Sequence, residues 1–437
     1  MSEATMTMDE MILVSVDDHV CEPADMFERH IPAKYKDAAP HVADSDYGQS
    51  WVIEGKRVPG MGLNAVVGRP KTEYGAEPTS FEHLRKGCYD IHARIDDMNA
   101  NGVLGSINFP QFPGFAGMRL INQSDKGLAL ATVRAYNDWH IHEWAGPYPE
   151  RIMPLAILPL WDMDLTIAEL NRCAKLGVHA ISFSDNPALV GLPSVHSPYW
   201  EPLWSACEDL EIVICAHIGT GAQAAHASDL SPIISWITAM PMSISNSAAD
   251  WLFASFWKRH PKLRIALSEG SIGWIPYFLE RAEYALKQHG AWTNLDLGGL
   301  TPTEIFQRHF ITCFIEDKFG LSNLDSIGVD NVTWECDYPH SDTPWPLAPE
   351  RLWDEVKHLP RETINKITHL NAMRDFYFDP FAAMGGKENC TVGALRALAA
   401  KKGVDTSEVA GMGGMSPRFA EHGPVTSADV MKILTAA

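Results

Sequence analysis

The residues of this chain best able to do chemistry are acids and histidines that interrupt apolar runs. Leu13-Val14-Ser15-Val16 ends in Asp17-Asp18-His19. In a β-strand successive side chains alternate faces, so Asp17 and His19 share one side and Asp18 takes the other. The same interruption recurs along the chain. Ile212 to Ala216 ends in His217, Leu263 to Ser268 in Glu269, Ile311 to Ile315 in Glu316-Asp317, and Val332 to Cys336 in Asp337, with His340 just beyond. Asp, His, His and Asp drawn from distant parts of a chain to one mouth form a nitrogen and oxygen donor set suited to Zn²⁺, Mn²⁺ or Fe²⁺. Such a centre supplies hydroxide at neutral pH. Asp337 is then expected to orient the water and move its proton, with His340 as a substrate ligand or transition-state donor. Glu269 reads equally as an acid/base group or as a cap for the helix that follows.

These residues need a scaffold that brings strand ends together. Eight strand-like runs are legible: Leu13 to His19, Val103 to Phe109, Ile152 to Leu158, Val178 to Phe183, Ile212 to His217, Leu263 to Glu269, Ile311 to Glu316 and Val332 to Asp337. Helical patterns separate them, around Ser80 to Asn101, Asp125 to Trp144, Asp164 to Leu176, Pro198 to Leu210, Pro232 to His260 and Ile272 to Gln288. Near-continuously apolar strands alternating with helices predict a parallel sheet covered on its faces. Eight units predict an α/β fold of the (β/α)8 TIM-barrel type, whose active sites sit at the C-terminal ends of the strands. A doubly wound sheet is disfavoured, because no GxGxxG turn follows the first strand. The barrel is expected over residues 11–380, with an insertion at about 40–79 that carries a small hairpin, Trp51 to Val58, turning at Gly55. Residues 381–437 form a glycine-punctuated extension with two short helical patterns, Val392 to Lys402 and Ser427 to Thr435.

Composition narrows the partners. A net charge of −20 argues against nucleic acid and anionic membrane surfaces, which require clustered Lys and Arg. Eight cysteines lie scattered without CxxC pairs, as in a reduced protein. The first ten residues carry neither a basic region nor an apolar one, so a cytoplasmic location is expected. A small-molecule substrate and a homodimer or higher homo-oligomer complete the expectation.

Several blocks resemble the amidohydrolase-2 branch of the amidohydrolase superfamily. They are Asp17-Asp18-His19-Val20-Cys21-Glu22-Pro23, Arg94 to Val103, Tyr136-Asn137-Asp138-Trp139, Ala216-His217-Ile218-Gly219, Cys336-Asp337-Tyr338-Pro339-His340 and Asn371-Ala372. The resemblance runs in order from about Leu13 to Phe378. It implies a distorted (β/α)8 barrel and a metal-dependent hydrolase or non-oxidative aromatic acid decarboxylase. By the same likeness Asp17, His19, His217 and Asp337 are the metal ligands. The run Val178 to Phe183 holds His179 and no lysine that could be carbamylated to bridge two ions, so one divalent metal per chain is expected, zinc first and manganese or iron next.

The first functional expectation is hydrolysis of a small aromatic or otherwise apolar substrate, and the alternative is decarboxylation of a hydroxylated aromatic acid. A metal-free protein would point instead to a silent binding module. Glu22, Phe109, His226 and Trp345 are the expected substrate-facing residues, Glu22 with a second reading as the entry to a helix. His179 is expected to be a hydrogen-bonded core residue. His140 and His142 fall on different faces of a helix and are expected to be structural.

Overall fold

The computed structural model describes residues 6–45, 48–58, 60–62, 64–75, 78–221, 224–411 and 423–435. Nine of its strands form one parallel sheet: β1 (Leu13–Val20), β5 (Val103–Pro110), β6 (Ile152–Met153), β7 (Leu155–Ala156), β8 (Ala180–Ser184), β9 (Val213–His217), β10 (Ile265–Ser268), β11 (Phe310–Phe314) and β12 (Val332–Trp334). Their order is β6-β5-β1-β12-β11-β10-β9-β8-β7. The two ends of that order are consecutive in the chain and flank Pro154, which has no N–H to donate to a ladder. The expected third strand is therefore one strand broken in the middle. Its halves pair with β5 on one side and β8 on the other, and the eight-unit ring closes through it. First and last strands are neighbours, as a barrel requires.

Alternation along the strands places the chemistry. Val213 and Cys215 of β9, and Ile311 and Cys313 of β11, join Leu104, Met153, Ala180 and Ala266 in one buried cluster drawn from around the ring. His217 follows on the same face of β9, at the strand's C-terminal end. In β1 the cluster takes Val14 and Val16, which predicts that Asp18 should follow inward. Between the Ser15–Ser106 and Asp18–Asn108 pairs, however, β1 advances three residues while β5 advances two. This bulge re-aims the strand, so that Asp17 and His19 turn toward the mouth. Asp18 goes outward and ties β1 to its neighbours.

Other elements depart from the sequence reading for local reasons. The helix expected from Ser80 begins at Ile91, where Asp90 caps it by accepting from the Ala93 N–H, and ends at Ala100. The helix after β9 is Ile233–Leu252, with a separate turn at Ser255–Lys258. The last strand stops at Trp334, leaving Glu335 to Asp337 beyond it. The insertion forms its own antiparallel sheet of β2 (His41–Ser45), β3 (Gly48–Ile53) and β4 (Lys56–Val58). Glu54 and Gly55, both at positive φ, make the two-residue turn between β3 and β4. In the extension, helix Val392–Lys402 packs on helix Ile91–Ala100, and helix Ser427–Thr435 follows a bridge between Thr426 and Pro232. All eight cysteines are buried and unpaired. Among the described residues no helix is long and apolar enough to cross a membrane.

Candidate metal centre

Six donors, from the ends of β1, β9 and β10 and from the turn after β12, converge at the C-terminal mouth of the ring. Donor atoms of Asp17, His19 and His217 lie within 4.8 Å of one another, and so do those of His19, Glu269, Asp337 and His340. His19 belongs to both groups and joins them. Its Nε2 stands 3.5 Å from Asp17 Oδ1, 3.4 Å from Asp337 Oδ1 and 3.3 Å from His217 Nε2. His217 Nε2 is 3.5 Å from Asp17 Oδ2 and 3.2 Å from Glu269 Oε2. His217 Nδ1 donates to the Ile218 carbonyl at 2.7 Å, which turns Nε2 toward the cluster as the nitrogen that would bind an ion on losing its proton.

The carboxylates show what the cluster lacks. Asp17 and Asp337 are 0% exposed, yet none of their four oxygens has a hydrogen-bond partner. His340 Nδ1 comes within 2.9 Å of Asp337 Oδ1 but without hydrogen-bond geometry. Buried ionised groups without partners are costly, and a divalent cation among these oxygens and imidazole nitrogens removes that cost. The donor set therefore fits a hard or borderline divalent metal.

Electrostatics agree with a site built for positive charge. Burial pushes Asp17 and Asp337 above the usual carboxylate range, Asp337 strongly and with added repulsion from Glu269 and Asp17. Glu269 is raised to about 8, first by burial and then by Asp17 and Asp342, against the pull of His217. His217 loses its charge to burial less than it gains from Asp17 and Glu269, and stands at about 9. Burial, with His217 and Arg94 adding to it, lowers His340 to about 3, so its imidazole is neutral. Glu269 and Asp337 both hold left-handed backbone, φ 58° and 53°, a conformation that non-glycine residues rarely adopt and that tends to gather at functional sites.

The frame around the donors is polar and closed. Asp18 accepts from Ser15 Oγ and from the Tyr338 N–H, both at 3.0 Å, and from Ser106 Oγ. Arg94 is buried with Nε on the Gly87 carbonyl at 2.7 Å and Nη2 on the His19 carbonyl at 2.5 Å. The His19 and Asp337 main chains are held by the Tyr338 and Asp17 carbonyls at 2.6 and 2.9 Å.

Of the expected substrate-facing residues, only Phe109 meets the cluster, its ring 4.7 Å from His217 and 5.8 Å from His19. Glu22 is buried and spends both oxygens on main-chain N–H groups, Gln111 at 3.0 Å and Phe112 at 2.8 Å. Trp345 donates to the Asp97 carbonyl at 3.1 Å and packs under Arg85. His226 keeps to its own loop, with Nδ1 at 3.3 Å from the Ala224 carbonyl. His179 precedes β8, hydrogen-bonds the Glu211 carbonyl and stacks on Tyr377. His140 is buried and His142 exposed.

Two site residues escaped the sequence reading. Phe115 lies over the donors, 4.4 Å from the His217 ring, 4.6 Å from His19 and 6.0 Å from His340. Its sole signal was its place in the loop after β5. Glu335 is buried beneath the cluster, accepting from Cys313 Sγ at 2.7 Å and from the Glu269 N–H at 3.2 Å. Its spacing of two from Asp337 was the available sign.

Comparison with known proteins places this geometry in a lineage. A 2-amino-3-carboxymuconate-6-semialdehyde decarboxylase of Dictyostelium discoideum is 24% identical over 313 residues, which is 69% of this chain and 80% of that protein. A gamma-resorcylate decarboxylase of a Polaromonas species is 25% identical over 285 residues, 59% of this chain and 80% of the relative. In fold, the chain is similar to a 5-carboxyvanillate decarboxylase from Novosphingobium aromaticivorans solved with bound manganese and 3-methoxy-4-hydroxy-5-nitrobenzoic acid. That likeness has a TM-score of 0.60 at 15% identity, covering 86% of this chain and 100% of that one. The sequence model described as Amidohydrolase matches residues 82–378, a stretch that holds His217, Glu269, Asp337 and His340 and starts after Asp17 and His19. With more than half its length matched and the barrel and donor cluster of such an enzyme in place, the chain belongs to the amidohydrolase family.

Proposed function

We propose that this protein is a metal-dependent, non-oxidative decarboxylase of a small hydroxylated aromatic acid. The observation that carries the metal part is the set of partnerless, fully buried oxygens of Asp17 and Asp337 facing the imidazoles of His19 and His217. Decarboxylation replaces hydrolysis as the first reading because both curated relatives described above are decarboxylases.

Asp17, His19, His217 and Asp337 would hold one divalent ion, manganese as in the structural relative or zinc, and the ion would draw charge from the substrate's carboxylate and adjacent oxygen. The protein supplies the proton. Desolvation raises Glu269 to about 8 and pushes the neighbouring Asp337 in the same direction, so in the metal-free protein both favour the protonated form and Glu269 holds its proton at neutral pH. That proton goes to the ring carbon bearing the carboxylate. The C–C bond then breaks, its electron pair restores the aromatic ring, CO₂ leaves, and Glu269 takes a proton back from water. Glu269, 18% exposed at its side chain, keeps this exchange open to solvent. Neutral His340 lies with its ring 3.8 Å from that of His19 and offers a hydrogen bond rather than a charge. Phe109 and Phe115 give an aromatic ring an apolar wall. The eight unpaired thiols suit a reducing compartment, and the cytoplasm is the proposed location.

The test is to offer the metal-loaded protein a panel of hydroxybenzoates beside aryl esters and amides. Release of CO₂ with protonated arene supports the proposal. Ester or amide cleavage without CO₂ from any acid would return the reading to hydrolysis.

A further inference from the structure

A second network stands behind the cluster, unused by the chemistry above. The Tyr338 phenol, in the turn between Asp337 and His340, donates to Asp97 Oδ2 at 2.6 Å. Asp97 is a buried carboxylate within helix Ile91–Ala100. It also takes a bidentate pair from Arg85, Nε at 2.8 Å and Nη2 at 2.7 Å. Arg85 lies over the Trp345 ring at 4.3 Å, and its Nη2 reaches the Asp405 carbonyl of the extension at 2.7 Å. A Cβ at Gly87 would overlap the Asp97 carboxylate and the Tyr338 hydroxyl, so glycine is required where the main chain passes. On the other flank the Val67 N–H donates to the Pro339 carbonyl at 3.0 Å, and the neighbouring Gly68 carbonyl accepts from the Val409 N–H at 2.9 Å.

We propose that Arg85, Asp97 and Tyr338 form a positioning relay that holds the Asp337–His340 turn against the donors of β1 and β9, with the C-terminal extension, through Asp405 and Val409, as its outer anchor. This rests on the metal reading above. Left-handed backbone at Asp337 persists only where its surroundings over-determine it. The turn's main-chain bonds, Asp337 N–H to the Asp17 carbonyl and His340 N–H to the Asp337 carbonyl, fix the path of the chain. The phenol ties that path to a rigid helix. Arg85 and Asp97 pair fork to fork, a geometry that lysine cannot reproduce. No hydrogen bond or ion pair joins these three side chains to the cluster's donor atoms, so they act by placing others.

The test uses the full-length chain with Tyr338→Phe, Asp97→Asn and Arg85→Lys. The control is Lys402→Gln, which cuts the exposed Lys402–Asp96 pair between extension and helix without touching the relay. Two quantities are measured: amide exchange of residues 337–343 in the metal-free protein, and the Mn²⁺ dissociation constant by equilibrium dialysis. The relay predicts faster exchange confined to that turn and Mn²⁺ binding weakened about tenfold or more in the three variants, with the control unchanged. Unaltered exchange in Tyr338→Phe and Asp97→Asn overturns the relay. Faster exchange with Mn²⁺ affinity within about twofold of wild type overturns its positioning role. A wild type that binds no Mn²⁺ defeats the metal reading instead, while the exchange data still decide whether the relay holds the turn.

Discussion

Asp337 carries the heaviest assignment of any single side chain, as donor to the ion and as the neighbour of the proton-holding Glu269. Asp337→Asn keeps the shape and removes the carboxylate, and we expect a folded protein with turnover reduced on the order of 10²-fold or more. Thermal melting and CO₂ release check this together, and near-normal turnover in a folded variant would refute the assignment. The roles of single residues were unevenly legible in the sequence. Asp17, His19, His217, Glu269 and Asp337 announced themselves by breaking apolar runs, with His340 just beyond, and the structure gathers all six. Glu316 and Asp317 broke a run in the same way but lie outside the cluster, Asp317 accepting from the Gly320 N–H as a helix cap and Glu316 pairing with Arg351. Glu22 and Trp345 looked similar in kind, but a carboxylate can satisfy main-chain N–H groups and an indole can pack under an arginine. Only the fold of neighbouring loops decides such cases, as it does for Phe115.

At the level of elements, strand ends were readable because period-two alternation and abrupt polarity are properties of the sequence itself. Broken strands and bulges were not, since they depend on how a neighbour pairs. The bulge in β1 is the example, and Asp18 is its fastener. Asp18→Ala would strand the buried Tyr338 N–H and remove the acceptor that Ser15 and Ser106 share, leaving their hydroxyls the Asp17 and Ile107 carbonyls, at a cost of about 1–3 kcal/mol. Denaturant unfolding should show that loss with metal binding weakened as well, because Tyr338 sits beside Asp337. A variant as stable as wild type would mean that the clip contributes little. The start of the helix at Ile91 was likewise invisible until Asp90 was seen to cap it.

For the whole molecule, charge gathered in one mouth makes stability depend on pH and metal together. In metal-free protein Glu269 stands at about 8 instead of its ordinary 4.5, so the folded state binds more protons than the unfolded one between those values and loses stability as pH rises through that window. His217, raised to about 9, acts in the same sense: its stabilising charge is lost as pH rises through that value. Rising pH also frees donors for the ion, so Mn²⁺ should bind roughly tenfold tighter at about pH 8 than at pH 6 and raise the melting temperature more there. Equal shifts at both pH values would contradict these proton-linked donors. Elsewhere on the surface, Leu230, Ile234, Ile237 and Met242 are exposed on and beside one helix, and we propose this face for self-association. Light scattering that gives the mass of a single chain at micromolar concentration would contradict it. The central claim, that these strand ends hold an ion, is tested most directly by elemental analysis of purified wild type beside His217→Ala. The account predicts about one manganese or zinc per wild-type chain and its loss in the variant. No metal in wild-type protein, even after supplementation with both ions, would contradict it.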